Sequence, residues 1–399
     1  MVIKEMKNKE ISSISGNIKK IAGIDPILTA SVILLNLMGL VSIRSITEIT
    51  GSSGILVRQA AGSVIGIILM IALSLVDTEK ITNHWKIYYA VTVISLLAVL
   101  IFGSSGGGAR RWISVAGLTF QPSELAKILL ILFYAAFIMK YKEILPGYKI
   151  YIISFLLMLL PVGLIMLEPD LSTSMMIFFI FLVILFTAGI SWKVVAGAAA
   201  CVVPVSAVLM YLALQDKLTF LSEYQQNRVQ AWIHPEQYLS TTAYQTMNSM
   251  MAIGSGGILG KGLTMEEGSL YRTGFISESQ TDFIFAVIGE EFGFIGCVCV
   301  VFLIAVISVR CFMIASECSS MAGRIIASGV GAWICLQSFL NIGVTTGMLP
   351  NTGIPLPFVS YGLTALICLY AGLGIVQNIH ISNNQRPEPA QPQNLRGDQ

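Results

Sequence analysis

The chain carries too little charge to be a water-soluble protein of its size. Only 12% of its 399 residues are Asp, Glu, Lys or Arg, against about 25% in a soluble domain. Apolar residues supply 55%, and mean hydropathy is +0.78. Charge of one sign is missing too: the net charge is +2, so nothing attracts a phosphate backbone and no nucleic-acid partner is expected. Cysteine is sparse. Cys201, Cys297, Cys299, Cys311, Cys318, Cys335 and Cys368 lack metal-site spacing and lack the placement of an extracytoplasmic disulfide, so they read as small apolar fillers. No internal repeat is evident. Residues 1–25 are polar and basic with no apolar core, which excludes a cleavable signal peptide and makes the first apolar run an uncleaved anchor.

The sequence does contain many apolar blocks of about 18 residues or more, enough to span ~30 Å of hydrocarbon as helix. Lipid offers the backbone no hydrogen bonds, so these blocks must be helical. Their unbroken apolarity, without strict alternation, argues against a β-barrel. The spans are expected at 26–44, 55–76, 84–103, 122–140, 149–167, 170–188, 192–214, 281–307, 324–347 and 356–379. The fold class is thus an all-α integral membrane protein of ten transmembrane helices, with a long extracytoplasmic loop between helices 7 and 8. An even count puts both termini on one side. Of the Lys and Arg outside the spans, 15 fall on that side and 8 on the other, which makes the side of the termini cytoplasmic.

Three regions follow: a cytoplasmic tail at 1–25, a membrane domain at 26–380 and a disordered cytoplasmic tail at 381–399, rich in Pro, Gln and Asn. The long outer loop covers about 215–280. Loops beyond about 12–15 residues are usually functional or disordered. This one is not low-complexity: its Met-rich stretch from Tyr244 to Ile253 suits a short helix at the interface, broken by the glycines at 254, 256, 257, 260 and 262.

Ionisable groups in a bilayer cost roughly 2.5–3.5 kcal/mol each and need a reason. Glu124 and Lys127 open the fourth span behind Pro122 and share a helix face. They are either a self-compensating pair or the lining of an outward-facing polar cavity. Asp282 lies where the long loop re-enters the membrane. It either caps a helix or, partly desolvated, has the raised proton affinity of a general base. Glu290 and Glu291 lie two turns deeper and suit ion pairing within the bundle or a role in the site. Arg110 and Arg111, beside the interfacial Trp112 and after a flexible Gly103–Gly108 segment, either anchor in headgroups or bind phosphate. Glu168-Pro169-Asp170 forms a tight acidic turn. The segment from Pro350 to Phe358 is too rich in proline for regular helix and is either a rigid connector or a groove wall. Most of these features fall on one face of the membrane, where they suit an anionic, lipid-linked substrate.

Five segments carry a resemblance. GARRWISVAGLTFQPSELAK (108–127), EPDLSTS (168–174), YQTMNSMMAIGSGGILGKG (244–262), SESQTDFIFAVIGEEFG (277–293) and NIGVTTGMLPNTGIPLPFVSYG (341–362) resemble, in order, the motifs of the SEDS family of shape, elongation, division and sporulation proteins. That resemblance implies a peptidoglycan glycosyltransferase in the bacterial cytoplasmic membrane. It would polymerise lipid II, the undecaprenyl-diphosphate-linked disaccharide pentapeptide, on the outer face, together with a class B penicillin-binding protein. It implies Asp282 as the essential acid, with Glu124 and Lys127 lining a central cavity. Arg110, Arg111, Glu278 and Lys261 complete the candidate substrate residues. No tightly bound cofactor is expected, and a divalent cation such as Mg or Mn is compatible, with Asp282 as its one candidate ligand. The chain departs from the family pattern at Ser277, Gln280, Glu168, Ser172, Leu363 and Thr364. A lipid II flippase or other transporter, and a non-catalytic scaffold for the penicillin-binding protein, are the alternative functions. The gathering of motifs on one face disfavours the first, and the presence of Asp282 disfavours the second.

Overall fold

The computed structural model describes residues 20–76, 83–106, 109–115, 118–144, 148–194, 223–238, 242–263, 271, 276 and 278–385, with scattered positions between 196 and 215. The first nineteen residues, most of the expected seventh span, Ser277 and the tail beyond 385 lie outside the described residues.

In chain order the helices are α1 (Pro26–Thr50), α2 (Ser53–Ser74), α3 (Trp85–Phe102), α4 (Pro122–Tyr141), α5 (Lys149–Leu167) and α6 (Leu171–Thr187). Then come α7 (Glu223–Ile233), α8 (Thr242–Ser255), α9 (Ile284–Glu317), α10 (Met321–Thr345) and α11 (Leu363–Asn384). Eight of these are long and apolar enough to cross a membrane, and α6 is a shorter apolar helix. They match the expected spans apart from the seventh.

Local chemistry sets several ends. Asp25 caps α1 by accepting from the Leu28 amide at 2.9 Å, ahead of Pro26, and Gly51 closes the helix in the left-handed region at φ 66°. Pro122 opens α4, with Glu124 in its first turn and Lys140 in its last. Asp170 caps α6 through the Thr173 amide at 3.1 Å.

Several boundaries differ from expectation: α1 runs on to Thr50 rather than 44, and α9 to Glu317 rather than 307. The last span begins at Leu363 rather than 356, because Pro355 and Pro357 cannot donate to a helix and Phe358 is held at φ 63°. The segment expected to be flexible before the arginines folds instead as a small antiparallel sheet of β1 (Ser104–Gly106), β2 (Ala109–Val115) and β3 (Leu118–Phe120).

Burial decides which helices are central. In their most apolar windows α4 and α11 are 83% buried, whereas α3 is 17% buried and presents apolar side chains outward, as lipid requires. α4 packs on α3 and α10, α10 on α6 and α9, and α11 on α2.

α9 breaks at Gly293, which sits at φ 63°, ψ −159°. An unbroken helix would bond the amides of Phe294 and Ile295 to the carbonyls of Glu290 and Glu291. Here those amides donate to Gly257 and Ile258, and the two carbonyls accept from Lys261 and Gly262. The glycine-rich turn after α8 therefore replaces both helical bonds, and these four backbone groups keep partners at membrane depth.

Candidate active site

The ends of α5, α10 and β2 and the starts of α4, α6, α9 and α11 meet at one end of the bundle. Asp282 stands there in the turn before α9. Its neighbour Phe283 is fully buried and pins the turn to the core. The Asp282 carbonyl accepts from Asn341 Nδ2 at 2.7 Å. Ser360 Oγ donates to the Thr281 carbonyl at 2.6 Å and the Tyr361 amide to the Gln280 carbonyl at 2.8 Å. The proline-rich loop is thus stitched directly to the turn that bears the acid.

Gly353 packs beside the acid. At φ +71°, a Cβ on it would lie 3.4 Å from Asp282 Oδ2 and 3.5 Å from Arg228 Nη1. These are ordinary contact distances, so the positive φ rather than lack of room calls for glycine here, and both charged groups pack against it. Arg228 Nη1 also donates to the Asn351 carbonyl at 3.0 Å. Beyond Arg228 and Asn351 lies a small cleft, walled also by Trp232, Met247, Met250 and Leu349.

Half-burial pushes the Asp282 carboxyl up to about 6. Glu278 adds to the rise, Arg228 and Arg111 oppose it, and Asp170 contributes last. Glu168 is fully buried and neither of its oxygens finds a partner among the described residues. Burial, then Asp170, push its carboxyl to about 8 against Arg111, which favours its neutral form.

The expected site residues part into three groups. Asp282 is joined by Glu278, which is exposed and accepts from Thr281 Oγ1 at 3.1 Å, and by Arg111. Strand alternation sends the two arginines of β2 to opposite faces. Arg111 is half-buried, donates to the Pro169 carbonyl at 2.6 Å and lies 3.7 Å from Asp170 Oδ2, while Arg110 is exposed.

Glu124 and Lys127 form the second group, 3% and 1% exposed. Lys127 Nζ donates to Glu124 Oε1 at 2.7 Å and to Gln337 Oε1 at 2.9 Å, and it faces the Trp333 ring at 5.0 Å. Lys127 also edges a narrow gap whose other walls are largely apolar.

Lys261 makes the third. It pairs with Glu290 at 2.7 Å, and Tyr271 reaches Glu291 Oε1 at 2.5 Å. That network secures the break in α9.

Sequence reasoning passed over Arg228, Gln337 and Asn341. The last two are polar groups one turn apart inside an apolar span. Such a pair is a readable signal in a sequence, since an uncharged amide in an apolar span also needs a partner.

The model of the family described as cell cycle protein, FTSW_RODA_SPOVE, matches residues 26–385. The chain is similar to the peptidoglycan glycosyltransferase MrdB of Escherichia coli (strain K12), 35% identical over 328 residues, which are 82% of this chain and 86% of the relative. It is also similar to the probable peptidoglycan glycosyltransferase FtsW of Bacillus subtilis (strain 168), 32% identical over 398 residues, 95% of this chain and 97% of that one. Among solved structures, a chain from work on the structural coordination of polymerization and crosslinking by a peptidoglycan synthase complex superposes with a TM-score of 0.75. It is 28% identical, with 91% of this chain and 99% of that chain covered. The rod shape determining protein RodA of Thermus thermophilus superposes at 0.66 and 27% identity, covering 91% and 98%.

Proposed function

The chain belongs to the FTSW_RODA_SPOVE family of cell cycle proteins, and from that premise we propose that it is a peptidoglycan glycosyltransferase of the bacterial cytoplasmic membrane that polymerises lipid II on the outer face. The observation that carries the catalytic assignment is the convergence of Asp282, Arg228 and Gly353 beside a cleft.

The 4-hydroxyl of the acceptor sugar attacks the anomeric carbon of the donor, and the lipid diphosphate leaves. Asp282 takes the hydroxyl proton. A carboxyl pushed up to about 6 is still ionised at pH 7, yet more basic than an ordinary aspartate, as a general base requires. Developing charge on the leaving diphosphate needs fixed positive charge. Arg228 and Arg111 stand within the field of the acid, and Arg110 is open to headgroup depth. Arginine suits this task because its planar fork matches phosphate.

A divalent cation fits the site in one way. No three His, Cys, Asp or Glu side chains gather among the described residues. Mg usually takes one or two carboxylates together with substrate phosphates rather than a protein cage. Asp282 would hold such an ion jointly with the substrate diphosphate, and the ion would supply positive charge to the leaving group.

The crosslinking partner is a class B penicillin-binding protein, for which α7 and α8 of the 215–280 loop are the candidate receiving surface. The deciding experiment is polymerisation of lipid II by the purified protein with and without that partner. Wild type should make polymer, faster with the partner, and Asp282→Asn should make none while inserting normally. Near-normal polymer from Asp282→Asn would sink the catalytic role. Equal rates with and without every class B candidate of the cell would sink the partnership.

A further inference from the structure

The proline-rich loop has an unusual hydrogen-bond problem. Pro355 and Pro357 donate nothing, yet the loop runs through the interior of the bundle, with Ile354, Leu356, Phe358 and Val359 buried. Its carbonyls need donors, since an unpaired buried carbonyl costs as much as a lost hydrogen bond.

Four buried side-chain amides supply them. Asn341 Nδ2 donates to the Ile354 carbonyl at 2.8 Å, and Gln337 Nε2 to the Pro355 carbonyl at 2.9 Å. Asn36 Nδ2 donates to the Phe358 carbonyl at 2.9 Å, and Gln59 Nε2 to the Ser360 carbonyl at 3.0 Å. All four residues are at most 4% exposed. They come from α1, α2 and α10, so the loop is cradled from three helices.

We infer that Asn36, Gln59, Gln337 and Asn341 are the positioning residues of the acid: together they fasten the proline-rich loop, and through it the Asp282 turn, to the membrane bundle. This inference rests on the catalytic reading of Asp282. Three further observations carry it. Asn341 Nδ2 holds the Ile354 and Asp282 carbonyls at once, so one amide ties loop to turn. Ser360, whose carbonyl Gln59 holds, returns its own hydroxyl to Thr281 and accepts from the Leu356 amide at 2.7 Å. The orientation of Gln337 is set from its other side: Lys127 Nζ and Trp333 Nε1 both donate to its Oε1, at 2.9 and 2.7 Å, which leaves the NH2 facing Pro355. Lys127 therefore acts on the reaction through Gln337 and the loop.

The test uses the purified full-length chain with its penicillin-binding partner. Gln59→Met and Asn36→Leu remove donors on α1 and α2 without touching the acid. Gln337→Met and Asn341→Leu remove the pair on α10. Hydrogen exchange at residues 278–283 and 351–361 reads the tether itself, and kcat and KM for lipid II read its consequence. Each variant should raise exchange in both segments by about tenfold or more. Each should lower kcat about 10- to 100-fold with KM within about threefold, because a misplacement of about 1 Å costs on the order of 100-fold. Lys127→Met should raise exchange at 351–361 as Gln337→Met does. If Asn341→Leu fails to accumulate, Gln59→Met and Ser360→Ala decide the matter in its place.

Wild-type exchange in the variants overturns the cradle. Raised exchange with wild-type kcat overturns its positioning role. An active Asp282→Asn overturns the catalytic reading instead, and the exchange result still stands on its own.

Discussion

Asp282 is half-buried with its carboxyl at about 6 in the folded chain, against 3.8 for a free aspartate. Between those values the folded state binds a proton that the unfolded state has released. Its contribution to stability is therefore present below about pH 4 and lost as pH rises through about 6. At neutral pH the ionised carboxylate strains the fold that holds it. Asp282→Asn should then melt at a higher temperature than wild type at pH 7.5, while making no polymer, and the gap should close at pH 4; thermal unfolding in detergent at both pH values reads this. Wild-type turnover should fall as pH drops through about 6, where the base becomes protonated.

The two arginines make a second contrast between neighbours. Arg111 is committed to Pro169 and Asp170, and Arg110 is not buried. A lysine at 111 cannot hold both partners, so Arg111→Lys should lower turnover about tenfold to a hundredfold, the equivalent of one charged hydrogen bond. Arg110→Lys should keep lipid II binding only in part, since lysine lacks the bidentate fork; a silent Arg110→Lys would mark a plain headgroup anchor. Arg110→Gln should weaken lipid II binding if that guanidinium meets the diphosphate. Affinity and turnover for the three variants separate these effects.

At the scale of the element, α9 is the least ordinary helix. Its two exchanged hydrogen bonds depend on backbones lying against each other. A Cβ on Gly260 would strike the Glu291 carbonyl, and one on Gly293 would strike Gly260 and Ile258. Both glycines also have positive φ, at 83° and 63°. Gly260→Ala and Gly293→Ala should each destabilise by at least about 1–3 kcal/mol, the range for overpacking a tight site. A fluorescence-detected melting curve would show this as a clear drop in midpoint. Gly254→Ala, with open space around it, should leave the midpoint unchanged. The Lys261–Glu290 pair sits on the same break, so its loss should appear in stability before it appears in kcat.

For the whole molecule, the proposed outer-face reaction would require the Asp282 end of the bundle to face outward and both termini to lie inside. Single cysteines at positions 8 and 392, on a background with the native seven removed, should resist a membrane-impermeant maleimide in intact cells. A cysteine at 110 should react. Labelling of either terminus would reverse the orientation and with it the outer-face reading.

The spans were legible because lipid forces each backbone to satisfy itself locally, so a run of apolar residues specifies a helix without reference to the rest of the chain. The candidate acid was legible because Asp282 interrupts that rule at a boundary. Motif order completed the family assignment. The sequence alone therefore determined a helical membrane protein and nearly all span positions, and its motifs nominated Asp282 as the candidate acid. The seventh span falls outside the described residues. Tertiary structure decided what no local pattern encodes. It sent Arg111 inward and Arg110 outward by the register of a small sheet. It drew Lys261 to Glu290 by laying a glycine turn across a broken helix. It brought Arg228 and Gly353 to Asp282 from 54 residues before it and 71 after it in the chain. It delayed α11 to Leu363 because a proline-bearing loop had to find its donors on α1, α2 and α10. In each case a polar group had to be satisfied by a partner distant in sequence, and the geometry of packing alone determined which partner that would be.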